Sequence, residues 1–446
     1  VGLGSRAARR DSSRQIIRRS SKMDTESYDV IIVGSGIAGL YAALKLQKKG
    51  TRCGIVEKYK ELGGRTMTFK QKINGVDLQW EAGAGRISEH HKHVRELMRK
   101  YKLTWVPIGG APKFVEGYGE PVEEGEFESG LPLFFQPLEG LPAEQLAKHT
   151  IRQLLTKVHG ATVADEYLLR YPYRGEVDTL RADVALETFR HEMGPNQKFG
   201  ICGEGFSAIV EGMRAEIEQR GGKFLLGHTC VEVAQKGDAV TVTCLVDDEP
   251  KTLEAAHCIV AVPSSALKTI RPFSTWKGLT RVAMKPLLRF YGVFPLEGGK
   301  LWTEEFGRIV TPEPIRYMIP GNPAIGSVQI SYTDSQDAEF WKEKLDAVGE
   351  AKVAEEILEQ LRRLLKPAIP GPTFVKAHYW ENGVTYWLPG DYDPRDVSRE
   401  AYHPFPAMSR IHVCGESFSL RQAWTEGAIE HAAGLVKILE KKLSHR

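Results

Sequence analysis

The stretch from Tyr28 to Tyr59, YDVIIVGSGIAGLYAALKLQKKGTRCGIVEKY, decides the fold. Val30 to Val33 is a short unbroken apolar run, as expected of a strand buried on both faces. Gly34, Gly36 and Gly39 follow as G-x-G-x-x-G, and apolar residues at helical spacing (Leu40, Ala43, Leu44) come next. A second strand then ends at Glu57. Gly34 permits the tight turn, Gly36 lets backbone N–H groups approach a pyrophosphate, and Gly39 lets the helix pack closely on the strand. Ala38, in the same turn, belongs to this binding set. Glu57 stands where a carboxylate accepts hydrogen bonds from ribose hydroxyls. Together these features predict a dinucleotide-binding α/β unit, without separating a nicotinamide from a flavin dinucleotide.

Around this unit the chain of 446 residues is too long for one hydrophobic core, so two or three domains are expected. The formal net charge of +3 is unevenly spread. Residues 1–22 carry seven basic side chains against one acid, Asp11, which leaves the remainder mildly acidic and removes the support for nucleic-acid binding. The basic segment, residues 1–27, reads as a solvated arm, an organellar transit segment, or sequence upstream of a start at Met23. The expected location is cytoplasmic, or organellar if the arm is a transit segment. Six dispersed cysteines without a C-x-x-C pair suggest neither a zinc site nor a disulfide scaffold. The longest apolar run is the glycine-broken motif itself, so no membrane anchor is expected.

Further along, residues 141–193 carry helical patterns, clearest over 143–158 and 182–193. "GEGFSAIVEGMRAEIEQRGG" reads as a second glycine-containing turn and helix, followed by strands in 223–235, 239–246 and 257–263. Strands of a second sheet are expected in 287–294, 316–320 and 326–332, with a helix over 348–365. Lys285, which precedes Pro286, is expected to sit before its strand. Finally, "RIHVCGESFS" reads as a strand running into a helix that begins near Gln422.

"ELGGRT", residues 61–66, follows Glu57 closely, with Gly64 and Arg65 adding a close backbone approach and a positive charge. Here the chain resembles the flavin-dependent amine oxidase superfamily, which includes monoamine, polyamine and L-amino-acid oxidases, and the resemblance extends from Tyr28 to about Leu439. It implies non-covalent FAD. "GEGFSAIV…GGKFLLGHTCVEV" is similar to the family's second FAD segment, with the backbone of Val231 on adenine. "IHVCGESFSLRQAWTEGAIEHAAG" is similar to its C-terminal signature, with Gly415 and Glu416 at the ribityl–phosphate region. The implied architecture is α/β. A Rossmann-like FAD domain is assembled from residues 28–68, 197–272 and 408–446, a mixed-sheet substrate domain from 69–100 and 273–407, and a helical insertion from 101–196.

The stretch Gly83-Ala84-Gly85-Arg86-Ile87 matches in spacing the family segment that crosses the flavin's substrate side. In L-amino-acid oxidases its arginine binds the substrate α-carboxylate, a role that suits a planar fork of donors. The other reading of Arg86 is a structural arginine salt-bridged inside the fold. Trp424 is similar to the tryptophan that forms one aromatic wall. In "WENGVTYWLPG", Asn382 and Gly383 fall where monoamine oxidases place the other wall, which is therefore expected to be open. Register from Arg281 and Val282 puts Arg289 in the slot usually held by a lysine near the flavin, which leaves oxygen reactivity less certain than flavin binding. Tyr317 is similar to a tyrosine that adds a hydroxyl to the carboxylate clamp. His90, His91 and His93 lack a fourth ligand, so no metal is expected. The resemblance thus implies oxidative deamination of an L-α-amino acid, with oxygen as acceptor and hydrogen peroxide as product. The alternatives are a monoamine or polyamine oxidase, or a dehydrogenase with another acceptor. A homodimer fits the family.

Overall fold

The computed structural model describes residues 27–73, 75–108, 112–117, 131–192, 198–366 and 368–443. The basic arm lies outside them except for Ser27, as does the expected boundary at 196–197. Tyr28–Val33 stands near the middle of a seven-stranded sheet. On one side it pairs in parallel with Cys53–Val56, which pairs in parallel with Lys223–Leu225. On the other it pairs in parallel with Glu249–Val260. That strand continues the sheet antiparallel through Ala239–Val246 to Thr229–Lys236, and its C-terminal end also takes Ile411–Val413 in parallel.

Both faces of the first strand are covered, as its unbroken apolar run requires. Val30 and Ile32 pack with the helices Ile37–Gln47, Ser207–Gln219 and Thr425–Leu443. Ile31 and Val33, on the opposite face, join a core shared with the helices of 131–192 and with the second sheet. That mixed sheet runs Phe374–Trp387, Val282–Val293, Ser327–Asp334, Tyr317–Pro320, Ile309–Val310 and Lys113–Phe114, all antiparallel except the last pair. The architecture is the expected α/β one. No helix among the described residues is long and apolar enough to cross a membrane.

Four local expectations need correction. Lys285 lies within its strand, which begins at Val282, and pairs with Val384. Pro286 lacks an N–H, and the chain meets this with a register shift between Lys285 and Leu287 instead of a strand end. The helical pattern of 143–158 breaks in two, because Thr150 caps Ile151–His159 in a reciprocal capping box with Gln153. The helix expected over 348–365 is the second part of a longer helical stretch, Ser335–Leu364, interrupted at Gly349 (φ 82°). The last helix starts at Thr425, three residues beyond Gln422.

Candidate active site

The glycine loop builds the first part of the site. A Cβ on Gly39 would lie 2.1 Å from the Gly34 carbonyl oxygen, so helix and strand meet there backbone to backbone. A Cβ on Gly36 would meet nothing within 4 Å, so the open side of the loop is the side a ligand approaches. The helix Ile37–Gln47 has Gly36 as its N-cap and no side-chain cap, which leaves its first N–H groups aimed at that space. Glu57 follows the second strand; one carboxylate oxygen accepts from Ser35 N (2.9 Å) and Ser35 Oγ (2.6 Å) and the other from Tyr59 N (3.0 Å). Ala38 faces Gly415, where an added Cβ would lie 3.8 Å from that of Ala38. This donor set fits a dinucleotide diphosphate, with the N–H groups at Gly36–Gly39 as its holders.

"ELGGRT" folds onto the same loop: Gly63 N donates to Ser35 O (3.0 Å), and Gly64 lies against Gly36. Arg65 donates to Gly383 O (2.9 Å) and Glu416 Oε2 (2.9 Å). Glu416 also accepts from Thr385 N (3.0 Å), Thr385 Oγ1 (2.8 Å) and Ala423 N (2.9 Å), so it ties three segments together. Val231 is the bulged residue of its strand, and its carbonyl accepts from Arg271 N (3.0 Å).

A cavity opens where the second sheet meets the 83–86 segment. It offers about 60 Å³ to the centre of a water molecule, room for several waters. Arg86 and Arg289 line it, with Tyr173, Glu176, Leu287, Tyr332, Asp334, Val384, Tyr386 and Trp424 among its walls. Arg86 Cζ sits 5.5–5.9 Å from the ring centroids of Tyr173, Phe199, Tyr332 and Trp424, and Nη2 donates to Tyr173 Oη (2.5 Å). Burial weighs against its charge, and the polar groups around it are the phenols of Tyr173, Tyr332 and Tyr317; among the described residues no carboxylate pairs with it. Burial pushes the Tyr173 phenol well above its ordinary range, so it stays neutral. Trp424 stacks on Phe199 (5.8 Å, 13°) and meets the edge of His91 (5.0 Å, 71°).

The cavity therefore brings Arg86, Arg289 and Trp424 together. Tyr317 stands one shell back, edge-on to Tyr173 (6.3 Å) and accepting from Arg308 Nη1 (3.4 Å). The wall expected to be open at Asn382 and Gly383 carries Tyr386 instead. Leu287 pairs with Trp380 and Lys285 with Val384, so residues 381–383 bulge and the ring reaches the cavity later in the strand. The histidines diverge. His90 is exposed and His91 is buried beside Trp424. His93 Nδ1 bonds to Glu426 (2.9 Å), and with Glu430 these two place possible ligand atoms within 4.8 Å of one another.

Tyr173, Glu176, Tyr332, Asp334 and Tyr386 were not singled out by any motif. Asp334 accepts from Arg174 N (2.8 Å), Gly175 N (2.9 Å) and Tyr386 Oη (3.2 Å), and burial pushes its carboxyl up to about 6. Arg316 donates to the carbonyls of Leu169 (2.8 Å) and Tyr171 (2.6 Å). These two residues fasten the segment carrying Tyr173 to the second sheet.

Comparison with known proteins places this geometry in context. Residues 37–434 match the family model "Flavin containing amine oxidoreductase". The flavin-dependent L-tryptophan oxidase RebO of Lentzea aerocolonigenes is 23% identical, the match covering 92% of this chain and 98% of that one. The L-amino acid oxidase Bs29 of Bothriechis schlegelii is 24% identical, over 93% and 91% of the two chains. Among solved structures, cyclohexylamine oxidase from Brevibacterium oxydans superposes with a TM-score of 0.72 at 19% identity, over 93% of this chain and 99% of its own. Putrescine oxidase with bound putrescine gives 0.70 at 17%, over 94% and 99%.

Proposed function

Because the chain belongs to the flavin-containing amine oxidoreductases, enzymes of CH–NH2 oxidation whose flavin is here FAD, we propose that its substrate is an L-α-amino acid. The products are the 2-oxo acid, ammonia and hydrogen peroxide, with one water and one oxygen molecule consumed. The observation that carries this reading is Arg86, a guanidinium on the cavity wall with no carboxylate partner among the described residues. Arg86 receives the α-carboxylate through two parallel hydrogen bonds, and the neutral Tyr173 hydroxyl holds the guanidinium in place. Pinning the carboxylate orients the Cα–H for transfer, and Trp424 on Phe199 helps to keep water out. Bound non-covalently, FAD supplies the acceptor for that hydrogen as hydride.

A second reading, oxidation of a simple amine, has its own support: Glu176 and Asp334 lie on the same wall, where they would receive a cationic amine. The structural neighbours named for putrescine and cyclohexylamine fit it too. Anaerobic flavin bleaching by α-amino acids, each compared with the amine left when its carboxylate is removed, separates the two. Bleaching by the amino acids supports the proposal; bleaching by the amines alone overturns it.

A further inference from the structure

Arg86 accounts for one cation of the cavity, and Arg289 is a second that the proposal above leaves unused. Arg289 is only 7% exposed, yet its contacts are poor. Nη1 reaches Glu81 O and Tyr291 Oη at 3.4 Å each, and Nε has no partner. Its Cζ lies 4.9 Å from the centroid of Tyr332, the same ring that lies 5.9 Å from Arg86 Cζ. The two guanidiniums thus share a neighbour as well as a cavity.

The acids nearby are already committed. Asp334 takes three hydrogen bonds, and Glu176 accepts from the Tyr171 hydroxyl. Glu81, which feels the charge of Arg289, spends its oxygens on Phe206 N (2.9 Å) and Thr68 Oγ1 (2.8 Å). Among the described residues neither arginine has a carboxylate partner. Arginine does not shed its proton, so two positive charges, Arg289 buried and Arg86 half-buried, face one space with no carboxylate hydrogen-bonded to either among the described residues. Such an arrangement is costly in the free protein and is repaid by a ligand that brings both anions.

We infer that the substrate class is the acidic α-amino acids, with the α-carboxylate on Arg86 and the side-chain carboxylate on Arg289. This rests on the amino-acid reading above and narrows it. Arg289 is then the residue that sets specificity.

The test is anaerobic flavin reduction of the holoenzyme by L-glutamate and L-aspartate against L-glutamine, L-asparagine and L-norvaline, with simple amines in the same panel. The expected result is a preference for the acid over its own amide of about tenfold or more. Arg289→Gln should lower the acid-to-amide ratio of rate over affinity roughly 100-fold, and Arg289→Lys should fall between. In wild type, succinate or glutarate should perturb the flavin spectrum at lower concentration than butyrate, a readout that needs neither turnover nor a folded variant. Amides reduced as well as acids overturn the inference and leave the amino-acid reading standing. So does an equal loss for all substrates in Arg289→Gln, which marks a contact with the cofactor. Reduction by amines but by no amino acid overturns the reading beneath it.

Discussion

Arg86→Met separates a substrate clamp from a structural arginine, because the two roles predict opposite effects on stability. Methionine keeps much of the side-chain volume and removes the charge. If Arg86 awaits a ligand, the free protein pays to bury an unpaired guanidinium, offset by four aromatic rings at 5.5–5.9 Å and one hydrogen bond to Tyr173. The rings return roughly 0.5–2 kcal/mol each at best and not additively, and the desolvation they oppose is several kcal/mol. The substitution should therefore change unfolding free energy by no more than about 1 kcal/mol and raise it if desolvation dominates. Catalysis should behave differently: removing one partner of a desolvated carboxylate pair costs about 3–5 kcal/mol, roughly two to four orders of magnitude in kcat/KM. Urea unfolding of apo-protein gives the first quantity and stopped-flow flavin reduction by amino acids the second. A loss of several kcal/mol in unfolding with amino-acid reduction intact would refute the clamp.

Three further outcomes follow from the geometry. Gly36→Ala should leave the apo-protein as stable as wild type and lower its flavin content, because the added methyl meets only the ligand's space, whereas Gly39→Ala should cost about 1–3 kcal/mol of unfolding free energy by pressing on Gly34 O; equal behaviour of the two variants in urea melts contradicts the cradle. Glu426→Gln should cost about 1 kcal/mol, since Glu426 accepts from His93 N and Val94 N at the start of helix Lys92–Lys100 as well as from the His93 ring. The hydrogen bond to Glu426 raises the His93 pKa above 6.5, so that contribution is complete below pH 6.5 and fades as pH rises through the folded value. Burial opposes the Glu426 charge, yet its bonds hold it below 4.5, so its share is complete above pH 4.5 and fades as pH falls; the cost of the variant should peak between these pH values, and a flat difference across them counts against the pair. Burial lowers His412 to about 3 and His431 to about 4, so both rings should stay neutral in 15N-histidine spectra at pH 5, while the unfolded chain takes up protons below 6.5 and stability falls there; protonated rings at pH 5 in the folded protein would contradict this.

The parts of the site legible in the sequence are those whose geometry is local. The turn at Gly34–Gly39 needs only a strand, a tight bend and a helix start, and all three leave marks within a dozen residues. Arg86 was legible because it follows a short glycine-rich run, but its cage was not. Its hydrogen-bond partner Tyr173 is 87 residues away, brought in by Arg316 and Asp334 from a different sheet. Tyr386 was hidden because the ring that lines the cavity comes after the irregular stretch 381–383, three positions beyond Gly383, and no local pattern says which residue past a bulge faces the site. Other signals were present and unread. The Thr150-to-Gln153 spacing announces a helix start, and Gly349 within a helical pattern announces a break.

The quiet residues of the 83–86 segment explain why an arginine can sit there at all. A Cβ on Gly83 would lie 1.9 Å from the Arg65 carbonyl oxygen, and Ala84 N donates to that same oxygen (2.9 Å). The segment is thus laid backbone against backbone beside the run that packs on the cofactor loop. At Gly85 the other side is closed by the Arg289 guanidinium, 3.0 Å from where a Cβ would stand. With no side chains at these two steps, the chain passes between the GGR run and the second sheet and delivers Arg86 into the aromatic cage. A bulkier segment would hold the arginine further out, where water would screen its charge and weaken its hold on an anion. The fold therefore places two permanent cations on one cavity by economy of side chain, and the rings around Arg86, with Tyr332 beside Arg289, steady them without cancelling their charge as a carboxylate would.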